Sequence, residues 1–316
     1  MGPRETTPVR SASAPAVSQG GLGHALAAAT GALDGVQPIL RHLLGATDQA
    51  LLSDRIVAGV RSLLHDLARQ LVSGLLAEPP GGDAADALVA AFAADCSLLA
   101  HVHALALEAA LTERLHERLA LDPVRPPLLE ALIASPDPET AALAKQVLAA
   151  QSGFVQAQRR GELPLGELPG DLLRNALITL RAHFGAGDPA NDARAAALGR
   201  AARARHARSD DRGSLLHRLI ARMGPSAVGA LDLARGGAAL FATALALGSG
   251  QDRDAAVLAT SESQVPRLAL GLLASGVEPA AVERQVNLLH PEATLPAELL
   301  ALGPARAAEL LAGGGC

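Results

Sequence analysis

The sequence predicts an all-α protein, an irregular array of stacked antiparallel helix pairs, and three observations predict it. Of the 316 residues 49% are hydrophobic, yet that set is dominated by Ala, Leu and Val, with four Phe and no Trp or Tyr. Ala and Leu are strong helix formers, whereas the β-branched and aromatic residues that favour strands are scarce. Between residues 48 and 77, Val57, Val60, Leu64, Leu67 and Leu71 keep a 3-4-3-4 spacing that Ile56 and Leu63 widen, which is an amphipathic helix. Helix-opening signals, Asp followed by Pro or small residues, then recur along the chain.

Taken in order, residues 1–21 are rich in Ser, Pro, Thr and Gly and are expected to be disordered. Short helices are expected at Ala25–Leu33 and Ile39–Leu44. The long helix 48–77 stops at Pro79-Pro80-Gly81-Gly82. Asp83 then opens a stretch to about Leu121. Its early stripe (Leu88, Phe92, Leu99, Val102, Ala106) lies off its later one (Leu111, Leu115, Leu119), so either it bends near Glu108 or two partners bury different faces. Pro126-Pro127 starts a short helix, and Asp137-Pro138-Glu139 starts another that runs to about Arg160. Asp171 is expected to cap DLLRNALITLRAHFG, and Asp188-Pro189 opens an Arg-rich helix. The polar break RSDDRGS separates a helical domain at 22–207 from a region at 214–312, expected to pack on it, before a loose tail at 313–316.

Composition narrows function mainly by exclusion. Only Lys145 among the 27 basic residues is not arginine, a skew that reads as GC-rich bacterial coding, and the net charge of −5 names no partner. Cys96 and Cys316 are too few and too far apart for a disulfide framework or a thiolate zinc site. The four Phe are scattered, which removes a base-stacking platform. The N-terminus lacks the apolar run of a signal peptide, and the apolar run between Arg235 and Asp252 is too short for a membrane span. A cytoplasmic location without a membrane span is therefore expected.

Residues 161–170 spell GELPLGELPG. Each proline fixes its own φ and pushes Leu163 or Leu168 towards extended geometry, so the segment is expected to be a stiff strap. Its leucines would press on the core while Glu162 and Glu167 face water. The alternative makes Arg159, Arg160, Glu162 and Glu167 a docking edge. The openings at Asp137, Asp188 and Asp252 suggest stacked pairs of the HEAT kind, although their spacing is uneven. QRRGELPLGELPGDLL, with SPDPETAALAKQVLAAQ and LASGVEPAAVERQVNLLHPE, resembles an uncharacterised HEAT-like helical family of alphaproteobacteria across about residues 85–300. That resemblance implies a fold and no reaction.

Candidate chemistry is sparse. Glu113-x-x-His116 is half of a di-iron bundle motif, but no second Glu-x-x-His exists, so an ordinary exposed Glu–His pair is the better reading. His101 and His103 sit on nearly opposite helix sides and cannot share an ion, and His103 reads as a half-buried core histidine. There is no Gly-x-Ser-x-Gly, Walker A or His-Glu-x-x-His motif, and the GGLG at 20–23 follows no strand. Eight arginines between Arg194 and Arg222, among them Arg200, Arg203, Arg205, Arg208 and Arg212, could meet an anion but fall on no single helical stripe. The expected function is a non-catalytic helical scaffold or regulatory interaction module without a cofactor. The alternative is an anion-binding module centred on residues 194–222, for nucleic acid or an acidic partner, and the third reading is an enzyme of unrecognised type. The expected partner is another protein, or a second copy docked through helix 48–77.

Overall fold

A computed structural model describes residues 21, 23–32, 54–75, 82–207 and 210–313. Among them every regular element is an α-helix or a 3-10 turn, and there is no strand. The first short helix is α1, at 23–32. The tail at 1–20, the helix expected at Ile39–Leu44 and the ends of helix 48–77 lie outside the described residues. That helix is α2, Asp54–Leu75, and its stripe is spent inside the chain. Val60, Leu64, Leu67 and Leu71 are buried and Val57 is half-buried, packed with residues of the following helices, so the seam is not free for a second copy.

The stretch expected to run unbroken from Asp83 is two helices, α3 (Gly82–Ala94) and α4 (Cys96–Leu119), which meet at 97°. Asp95 breaks it. Its carboxylate accepts from the amides of Ser97 and Leu98 at 3.0 and 3.1 Å, which favours starting a new helix over continuing the old one. The chain thus turns well before Glu108, and two partners do bury different faces of α4. Leu98, Leu99, Val102, Leu105 and Ala106 join one core, while Leu111 and Leu115 join another.

After α5 (Pro127–Ile133) comes α6 (Pro138–Arg160), capped by Asp137 and closed by Gly161 at φ 67°. The strap leads to α7 (Gly170–Gly185), in which Asp171 lies in the first turn while Pro169 holds the cap position. Next come α8 (Pro189–His206) and α9 (Arg212–Met223), each capped by an Asp side chain. A 3-10 turn, Gly224–Leu231, leads into α10 (Leu233–Ser249), the apolar run whose residues are mostly buried. Gly237 breaks α10 with φ 64° and ψ 177°, and a Cβ there would lie 3.2 Å from Pro126. Only glycine combines that backbone with that approach. The chain ends with α11 (Arg253–Leu258), α12 (Val265–Ala274), α13 (Pro279–Leu289), α14 (Ala297–Leu300) and α15 (Pro304–Gly313).

The first core is built by α2, α3, the first half of α4, the end of α6, the strap leucines, α7 and α8. The second takes the later half of α4, α5, the first half of α6 and the helices from α9 onward. Leu26 of α1 belongs to this second core, and Arg267 of α12 donates to Thr30 at 3.0 Å. The cores therefore do not divide at residues 207–214 as expected, because α4 and α6 each run through both. Helices α4 and α10 pack on one another although far apart in sequence. A bundle makes such contacts, whereas in a row of repeats each unit touches only its neighbours. No single helix among the described residues is long and apolar enough to cross a membrane.

Candidate binding cleft

Where α4 passes from one core to the other it carries Glu108, which is 1% exposed. An isolated carboxylate could not stay charged there. Two arginines make it tenable. Arg212, the first residue of α9, donates to both Glu108 oxygens at 2.8 and 3.1 Å, and Arg253, the first residue of α11, donates to both at 2.9 and 2.8 Å. Burial alone would push the Glu108 carboxyl up, but the charges and hydrogen bonds of Arg212 and Arg253 outweigh it and hold it far below the usual range. Burial likewise opposes the Arg212 charge, and Glu108 and Glu167 more than restore it.

Arg212 is engaged on every side. Its Nε donates to Glu167 at 2.9 Å, Nη1 also reaches the Gln151 side chain at 3.2 Å, and its guanidinium lies 3.6 Å from the centre of the Phe154 ring. Arg253 donates in addition to the Thr243 hydroxyl at 3.1 Å. Beside them His101 bridges Asp254 (Nδ1 to Oδ2, 2.7 Å) and the Glu167 carbonyl (Nε2 to O, 3.0 Å). Each ring nitrogen of His101 thus faces an oxygen of the chain.

The strap delivers Glu167 to this place. Its first part is tied to α2: the Ser62 hydroxyl donates to the Gly161 carbonyl, Asp66 accepts from the Leu163 amide, and Gln70 donates to the Leu163 carbonyl. Leu163 and Leu168 are buried as expected. Between them Leu165–Glu167 closes into a 3-10 turn, so the segment is not extended throughout. That turn rotates Glu167 inward, and the expectation that both glutamates face water holds for Glu162 alone. Glu162 is paired with the exposed Arg160 at 2.7 Å.

Of these groups Arg212, Arg253, Glu167, His101 and Asp254 wall one side of a cleft of 820 Å³ between α4, the strap, α9 and the α10–α11 junction. Leu105, Pro169, Ala246 and Leu247 supply apolar surface to it, with Leu247 38% exposed. Little of this site can be read from the sequence. The one available signal is an arginine at a capped helix start, Asp211-Arg212, together with a glutamate in an otherwise apolar stretch of α4.

The chain matches no known family, curated protein or solved structure.

The other candidates fall elsewhere. Arg159 pairs with Glu113 at 3.2 Å and Arg160 with Glu162, so the expected docking edge is two neutralised ion pairs with Glu167 removed from it. Glu113 is thereby taken from His116, whose Nδ1 instead meets the Leu121 carbonyl at 3.0 Å. His103 is buried more deeply than expected, and burial pushes its imidazole down to about 4. Among the described residues no three His, Cys, Asp or Glu are grouped to hold a metal ion. Of the arginine segment, Arg200, Arg203 and Arg205 are exposed on α8, and Arg208 lies outside the described residues. Arg218 pairs with Asp210, and Arg222 with Asp137 and Glu139. Arg212 is buried against its own chain's carboxylates and is not placed to meet an external anion.

Proposed function

We propose that this protein is a non-catalytic interaction module that engages a partner protein at the cleft, through an apolar side chain seated against Leu105, Pro169, Ala246 and Leu247. One observation carries the reading. On the cleft wall Arg212, Arg253, Glu167, His101 and Asp254 are held by one another and by buried Glu108, while the apolar surface of Leu105, Pro169, Ala246 and Leu247 beside them stays open. Within that network both ring nitrogens of His101 are occupied, so this histidine has no free nitrogen to turn towards a substrate. Apolar surface set beside fixed polar groups is a usual form of a recognition site. A cytoplasmic scaffold built as a helical bundle accords with this reading.

Photo-crosslinking tests it, with a reactive residue introduced at position 247 and, as a control, at Ile178, which is 58% exposed on α7. The expected result is one defined adduct from position 247 in the native cell, lost when Ala246→Arg is added and absent from position 178. Equal labelling at both positions overturns the reading. A second reading rests on exposed Arg200, Arg203 and Arg205. If α8 binds polyanions, retention on heparin falls steeply with salt, and Arg200→Glu with Arg203→Glu abolishes it.

A further inference from the structure

We propose that a second pocket, open to solvent between α2, α4 and α6, is a binding site for a small neutral molecule about the size of one aromatic ring that carries a hydrogen-bond acceptor. This pocket measures 150 Å³ and is separate from the cleft. One wall is made of small residues, and Arg55, Glu113, Gln158 and Arg159 stand around it. Gly59 of α2 faces Ala106 of α4 so closely that a Cβ would lie 3.4 Å from the alanine, and Ala109 and Ala110 continue the same wall. Phe154 of α6, 2% exposed, lines the opposite side. A volume of 150 Å³ is that of a cavity known to take a molecule of benzene size.

Two further observations give the occupant its chemistry. Gln158 lines the cavity, and its side-chain Nε2 is buried with no hydrogen-bond partner among the described residues. Buried donors are almost always paired, so a carbonyl or ether oxygen of a ligand would complete an arrangement the protein leaves open. The charges nearby are already cancelled. Arg159 pairs with Glu113 at 3.2 Å, and Arg55 with Glu117 at 3.8 Å. With their charges so paired, these groups leave no net charge to attract an ionic ligand. The occupant is therefore neutral, with an apolar ring against Phe154 and the alanines and its acceptor towards Gln158.

Acetophenone and ethylbenzene differ little in size, and only the first has an acceptor, so they form the test pair. In ligand-observed NMR titrations the expected result is saturable binding of both, with acetophenone preferred by about fivefold, the worth of one net hydrogen bond. Ala110→Leu, which fills the cavity, should abolish both. Gln158→Leu should remove the preference while keeping ethylbenzene binding. Ala109→Val serves if Ala110→Leu lowers the melting temperature. No saturable binding overturns the proposal, as does binding that survives the filling variants. A preference unchanged by Gln158→Leu also overturns it, as does equal binding of the pair by the unaltered protein, the result expected if water occupies the amide.

Discussion

The two GELP copies are the same four letters in one strap, and the protein uses them differently. Their leucines behave alike: Leu163 and Leu168 are both fully buried in the first core. Their glutamates do not. Glu162 has 41% of its side chain exposed and pairs with a solvent-facing arginine, whereas Glu167 has 11% exposed and sets its charge against buried Arg212. Local sequence decides where an apolar side chain goes, because the strap has a buried and an open side. What a charge is worth depends on the dielectric around it, and that is set by helices distant in the chain.

The largest test of this contrast lies at the group both arginines share. Glu108→Ala leaves buried Arg212 and partly buried Arg253 without the carboxylate they share, and breaking a buried pair on one side costs about 3–5 kcal/mol. Urea denaturation should show a loss of that order, or no cooperative transition at all. A loss below about 1 kcal/mol would mean that the cluster is solvated and that the contrast between the glutamates is empty.

Histidine gives the second test, since α4 carries one paired and one buried example. The His103 imidazole is held at about 4 in the folded chain, against an ordinary value of 6.5. Between those values the unfolded state binds the proton and the folded state does not. Stability therefore falls as pH drops from about 6.5 to 4 and levels off below that, by about 3 kcal/mol in all. Comparing the pH dependence of the parent with that of His103→Leu isolates this contribution, and identical slopes would refute it.

Within the strap itself, Glu167→Ala strands one donor of Arg212 but leaves Glu108 in place, so a loss of about 1–3 kcal/mol is expected. Glu162→Ala should stay within about 0.5 kcal/mol, as exposed pairs do. Equal effects would erase the comparison. Pro164→Ala and Pro169→Ala should each cost roughly 0.4–1 kcal/mol through a freer unfolded chain, since both prolines sit at φ values they favour.

The helices are legible in the sequence because propensity, periodicity and caps are local. Asp137-Pro138, Asp188-Pro189 and the stripe of α2 all appear where the pattern puts them. Asp95 escapes such a reading because an N-cap inside Ala-Ala-Asp-Cys-Ser looks like one polar residue on a helix. The cleft is nearly invisible. Glu108, Arg212 and Arg253 come from three separate helices, and the meeting of their side chains depends on how α4 packs against α9 and α11. Arginine count points to the right segment but to the wrong face of it: the exposed residues are on α8, and the one that organises the fold is Arg212.

The passage of α4 and α6 through both cores also governs how the protein can be made. Synthesis is vectorial, so Leu111, Leu115, Leu143 and Val147 leave the ribosome long before the helices that cover them exist. At about 5–20 residues per second the delay is on the order of ten seconds. During that interval the nascent chain carries an uncovered aliphatic face, and Glu108 waits without either arginine. The emergence of the helices from α9 onward, not completion of the N-terminal helices, sets the moment at which α4 and α6 are covered on both sides.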